Sequence, residues 1–85
     1  MNIRLTTEYQ NAMKTIQILY RHQDNINESY TSYGLKHISE DYLKSFNFKD
    51  TYISNDAFIT AMVDCGYTLK EIHNSPNFFF NVNVL

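Results

Sequence analysis

The apolar positions of the chain fall into three stripes of helical period, followed by one alternating stretch. Tyr9, Ala12, Met13, Ile16, Leu19 and Tyr20 recur at three- and four-residue spacing, the period of a helix that buries one face. Thr7-Glu8-Tyr9-Gln10 has the form of a capping box, so a first helix is expected from Thr7 to about Arg21 or His22. Gln23 to Tyr30 is polar, rich in Asp and Asn and without a period, and reads as a loop. Thr31 or Ser32 caps a second helix in which Leu35, Ile38, Tyr42, Leu43 and Phe46 keep helical spacing. Lys36, Glu40 and Lys44 form an i, i+4 series on its opposite, solvated face, with His37 one turn before Asp41. After a break at Asn47 to Asp50, Ser54 or Asn55 caps a third helix, with Phe58, Ala61, Met62 and Cys65 on one face. Asp56, Thr60 and Asp64 lie on its outer face. Gly66 stands where a left-handed residue ends a helix, and Tyr67 follows to close it with an apolar contact.

From Thr68 the period changes to two. Thr68 to Ile72 predicts one strand, His73-Asn74-Ser75-Pro76-Asn77 a turn, and the last eight residues a second strand with Phe78, Phe80, Val82 and Val84 on one face. Phe79 is left beside Asn81 and Asn83, either covered by the first helix or exposed at an interface. The expected fold is a single α+β domain over residues 1–85: three helices followed by a C-terminal β-hairpin, with a short extra strand at Thr51-Ile53 beside it. The last strand also offers an edge on which a second copy could pair, so a homodimer is an open expectation.

Composition narrows the chemistry. Eighty-five residues make one small domain whose core leans on seven Tyr and six Phe. A net charge of −2 supplies no long-range field to gather nucleic acid or an anionic membrane. The N-terminal residues lack a signal-peptide core, and no apolar run approaches the length of a membrane span, so a soluble, cytoplasmic protein is expected. One cysteine, Cys65, excludes an intramolecular disulfide and fits a reducing compartment. His22, His37 and His73 sit one to a segment without a second ligand at i+3 or i+4, so no metal site and no cofactor are expected. His37 with Asp41 is the nearest approach to a base and its orienter, yet no nucleophile stands beside it, and a non-enzymatic role is expected.

The order of helix, helix, Tyr52-Ile53-Ser54-Asn55, Phe58, Met62, Gly66-Tyr67, turn and aromatic-rich strand resembles the winged-helix modules of phage and plasmid replication or regulatory proteins. Ser32-Tyr33-Gly34-Leu35-Lys36-His37 and Pro76-Asn77-Phe78-Phe79-Phe80-Asn81 resemble stretches of small proteins from bacteriophages and integrative elements, a group that includes anti-CRISPR inhibitors of effector nucleases. The winged-helix resemblance implies a third helix that reads DNA and a hairpin that rests on phosphates. Charge argues the other way: residues 50–85 hold Asp50, Asp56, Asp64 and Glu71 against the single base Lys70, a net of −3. The expected partner is therefore a host protein, such as a CRISPR effector nuclease, met by Asn55, Asp56, Thr60, Asp64, Lys70, Glu71, His73, Asn74, Asn77 and Phe79. DNA, bound by a small winged-helix regulator through the same elements, is the alternative.

Overall fold

The structure, a computed structural model, describes residues 2–85. After a 3-10 turn at Ile3–Leu5 come helix α1 (Thr7–Leu19), strand β1 (Tyr20–Asn27), helices α2 (Ser32–Ser45) and α3 (Asn55–Asp64), and strands β2 (Leu69–Glu71) and β3 (Phe78–Val84). The three strands form one antiparallel sheet in the order β1-β3-β2. The fold is α+β as expected, but its order differs: a strand separates the first two helices.

That strand falls where a loop was expected. Of its eight residues only Tyr20 is buried, because β1 is an edge strand whose side chains mostly face water, and no apolar period marks it. Tyr20, Arg21 and His22 pair with Val84, Asn83 and Val82, after which an irregularity shifts the register before Asn27 meets Phe80. Side-chain amides hold the irregular part. Asn27 Nδ2 donates to the Val82 carbonyl at 3.0 Å, and Asn81 Nδ2 donates to that of Gln23 at 3.1 Å. The change from helix to strand at Tyr20 also ends α1 at Leu19, two or three residues early. The Tyr20 ring stays in the core, edge-on to Phe58, and its hydroxyl donates to the Leu35 carbonyl at 2.7 Å.

The helix starts are close to expectation. Thr6, one residue before the expected cap, accepts from the Tyr9 amide, while Gln10 reaches the Arg4 carbonyl instead of closing a capping box. Thr31 caps α2 by accepting from Gly34, and Ser54 caps α3 by accepting from Ala57. At the end of α3 the Gly66 amide donates to Val63 and the Tyr67 amide to Met62, with Gly66 at φ +88°, the paired bonds of a Schellman stop.

Three further expectations are corrected, two about faces and one about a strand. Lys36 and Glu40 are not solvated; each side chain is only 6% exposed, and they pair at 3.3 Å beneath the rings of Tyr33 and Tyr52. Phe46, expected on the buried stripe, is 61% exposed because α2 ends there. Thr51-Ile53 is not a strand. Helix side chains hold it instead: Asn11 Nδ2 donates to the carbonyl of the preceding Asp50, and the Ile53 amide donates to Glu40 Oε2, both at 2.8 Å. The core gathers Ala12, Ile16, Tyr20, Leu35, Leu43, Ile53, Phe58, Met62, Phe80 and Val82 between the helices and one face of the sheet. β3 is the central strand, so the terminal edge expected to support a dimer is already paired on both sides.

Candidate functional site

The expected contact residues lie on two elements that a small polar network locks together. Asn55 opens α3, and its Nδ2 donates to Asn77 Oδ1 at 3.0 Å and to the Pro76 carbonyl at 3.3 Å, joining the helix start to the hairpin turn. Ser32 at the start of α2 completes the junction, its Oγ 3.4 Å from Asn77 Oδ1 and accepting from the Phe78 amide at 3.2 Å. Asn55 Oδ1 is buried without a partner among the described residues. Asn55 and Asn77 thus join elements and present little to a partner. Asn74, at φ 58°, turns the hairpin and lines a shallow depression of about 470 Å³ with Glu71, Ile72, His73, Ser75 and Phe78.

On α3 the outward side differs from the expected Asp56-Thr60-Asp64 series. Asp64 is engaged: Arg4 Nε donates to its Oδ2 at 2.7 Å, Arg4 Nη2 to its Oδ1 at 3.0 Å, and the Tyr9 hydroxyl to Oδ2 at 2.7 Å. These bonds hold the Asp64 carboxyl at about 2, and the shared carboxylate raises the pKa values of Arg4 and Tyr9. Lys70, the single base of this half, forms an ion pair with Glu28. What remains outward is Asp56, half-buried Ile59 and Thr60, and Val63 at 45% exposure, a helical stripe at i, i+3, i+4 and i+7. Phe79 is half-buried on β3, opposite Lys70 in the register of β2.

Sequence reasoning missed Arg4, Tyr9, Glu28 and Val63. Arg4–Asp64 and Lys70–Glu28 join residues far apart in the chain, so no local spacing announces them. Val63 was legible as a flank residue of α3, but its exposure depends on the neighbouring elements.

A second, open cleft of about 430 Å³ lies between α1, β1 and the end of α3, lined by Met13, Ile16, Gln17, Tyr20, Arg21, His22, Asp64, Cys65 and Tyr67. His22 stacks on Tyr67 at 3.9 Å between centroids, and its Nε2 lies 3.1 Å from the Cys65 carbonyl oxygen. Burial, and then the neighbouring Asp64 charge, push the Cys65 thiol up, and its Sγ contacts Met13 Sδ at 3.6 Å. A protonated, packed thiol is a weak nucleophile. His37 Nδ1 pairs with Glu40 Oε1 at 3.0 Å, not with Asp41. Among the described residues no group of three His, Cys, Asp or Glu is placed to hold a metal ion, and no helix is long and apolar enough to cross a membrane.

Comparison of the chain with protein-family models, with characterised proteins and with solved structures gives no significant match.

Proposed function

We propose that this chain is a winged-helix-like protein of a phage or mobile element that acts without catalysis, by binding a host protein through the outward side of α3 and the hairpin. The scaffold reading is supported by a third helix with Phe58 in the core, a glycine stop followed by an aromatic, and a hairpin whose long strand β3 also pairs with β1. The observation that carries the partner class is the stripe Asp56, Ile59, Thr60 and Val63. It presents an acid and two apolar side chains and no cation, while Lys70 is held by Glu28. A helix that reads DNA needs Arg, Lys, Asn or Gln toward base edges and cations toward phosphates. A stripe of this kind instead suits a protein surface with a hydrophobic centre and a basic rim, such as the groove in which a nuclease holds nucleic acid. In this reading the partner is a CRISPR effector nuclease and the chain an anti-CRISPR inhibitor.

The second reading, a DNA-binding regulator using the same helix and hairpin, is favoured by the helix, stop and hairpin geometry itself. Cleavage assays with purified effector nucleases of candidate hosts separate the two. Stoichiometric inhibition that is lost in Asp56→Lys and Val63→Glu supports the protein partner. Absence of inhibition, together with sequence-specific duplex binding that is lost in Lys70→Ala and Asn74→Ala, overturns it in favour of the regulator.

A further inference from the structure

Where α1 gives way to β1, three consecutive side chains take different places. Tyr20 enters the core, His22 stacks on Tyr67, and Arg21 folds back against the last turn of α1. Both hydrogens of Arg21 Nη1 are taken, by the Gln17 carbonyl at 3.0 Å and the Tyr20 carbonyl at 2.8 Å. The guanidinium is thereby held at the cleft between α1, β1 and the end of α3, while its Nε and Nη2 donate to nothing among the described residues. A guanidinium carries its donors in a rigid planar fork, so the unused Nε–Nη2 edge keeps two parallel N–H groups that match the two oxygens of a carboxylate. The second polar group of the cleft is Tyr67. It is only 6% exposed, yet its hydroxyl has no hydrogen-bond partner among the described residues. Among those residues the side-chain polar atom that is both sealed from solvent and unbonded is Asn55 Oδ1, so the Tyr67 oxygen is not sealed and opens on the cleft. Burial and then Cys65 push the Tyr67 hydroxyl up while the Arg21 charge pulls it down, which sets the guanidinium within electrostatic reach of the phenol.

We propose that this cleft binds a small organic carboxylate, its carboxylate on the Nε–Nη2 edge of Arg21 and the Tyr67 hydroxyl and its apolar body against Met13 and Ile16. At about 430 Å³ the cleft has the size of a small-ligand site, a mostly apolar concavity with a few placed polar groups. The thioether of Met13, half-buried on the wall, adapts to the shape of the body it meets. The charge of the ligand follows from which charges in the cleft are already balanced. Asp64 is engaged by Arg4 and the Tyr9 hydroxyl, and Asp24, the other acid near Arg21 in the chain, does not line the cleft and forms no ion pair with it. Arg21 is therefore the uncompensated charge, and a single negative charge balances it. A phosphate dianion adds a second negative charge beside Asp64, and a cationic ligand meets Arg21 directly. His22, stacked 3.9 Å from Tyr67 with Nε2 at the Cys65 carbonyl, positions the phenol. The cleft shares no residue with the stripe from Asp56 to Val63 and does not depend on what α3 binds.

Titration of the isotope-labelled protein with phenylbutyrate at neutral pH, followed by amide chemical shifts, tests it. Phenylbutyrate has about 12 non-hydrogen atoms, which at the efficiency of ordinary ligands give a Kd of about 2 mM or tighter. The shifts should centre on Met13, Gln17, Arg21, Cys65 and Tyr67. Phenylbutanol, phenylbutylamine and phenylbutyl phosphate should each bind at least about tenfold more weakly. Tyr67→Phe keeps the buried ring and should weaken phenylbutyrate binding about three- to tenfold. Arg21→Lys keeps the charge and loses the fork, and should weaken it about tenfold. Arg21 also holds carbonyls at the end of α1, so thermal melts accompany that variant, and Tyr67→Phe carries the test if it unfolds. No saturating shift by about 10 mM, equal binding of the alcohol or the amine, tighter binding of the phosphate ester, or an unchanged Kd in Tyr67→Phe would overturn the proposal. A short peptide ending in a phenylalanine carboxylate that binds more than about tenfold tighter than phenylbutyrate would overturn it in favour of a protein C-terminus.

Discussion

Asp64 shows how one carboxylate can change roles once the chain is folded. It receives two bonds from Arg4 and one from Tyr9, which fastens the 3-10 turn and the first turn of α1 to the end of α3. The folded protein therefore binds no proton at Asp64 until pH falls to about 2, while the unfolded chain takes one near 3.8. A depressed folded-state value stabilises the fold above the unfolded value, and that stabilisation is lost as pH drops from about 4 toward 2. Asp64→Asn should thus flatten the acid limb of the stability curve in that window while leaving its neutral side lower than wild type. Urea unfolding at a series of pH values reads this directly. An unchanged acid limb would show that Arg4 and Tyr9 do not hold the carboxylate in solution.

At the scale of elements, side chains do work that backbone ladders do elsewhere. Glu40 accepts from Lys36 and from the Ile53 amide, tying α2 to the segment that leads into α3. Glu40→Ala leaves the Lys36 ammonium buried and unpaired and should cost about 3 to 5 kcal/mol, whereas Lys36→Met with Glu40→Gln should recover most of it, since no uncompensated charge remains. Denaturant midpoints of the single and the double variant decide. Asn81 plays a similar part in the sheet. Its side chain accepts from the Thr68 amide at 2.7 Å and donates to the Gln23 carbonyl at 3.1 Å, so it touches the approach to β2 and the irregular part of β1 from the central strand. Asn81→Ala should cost about 1 to 2 kcal/mol and speed amide exchange in Gln23 to Ile26 more than in β3. These ties explain what the sequence left illegible. Helices with a cap, a stripe and a stop were readable because each signal is local. β1 and the Ile53 segment were not, because amides and a carboxylate from distant positions satisfy their backbone groups. The same holds for the candidate site, where Asp56 was placed by local periodicity while the pairing of Asp64 and Lys70 needed the fold.

For the whole molecule, stability rests on a few rings. A chain of 85 residues is expected to hold roughly 4 to 13 kcal/mol at 0.05 to 0.15 kcal/mol per residue. The ion pairs Arg4–Asp64 and Lys70–Glu28 include exposed groups and contribute little that salt would not screen. Phe58 is different. It is fully buried where α3 meets α1, and its ring lies 6.3 Å and 87° from that of Tyr20, the residue at which helix gives way to strand. Removing it opens a cavity beneath both elements, at about 3 to 5 kcal/mol for Phe→Ala, a loss comparable to the whole lower estimate of stability. Phe58→Ala should therefore be largely unfolded or melt far below wild type, while Phe58→Leu, which keeps most of the volume, should stay folded with a lower midpoint. Raising salt should move the wild-type midpoint by much less than either change. Thermal melts at low and high salt for the three proteins make the comparison. A Phe58→Ala protein as stable as wild type would mean that the core is held by the sheet alone, and a large salt effect would return weight to the ion pairs.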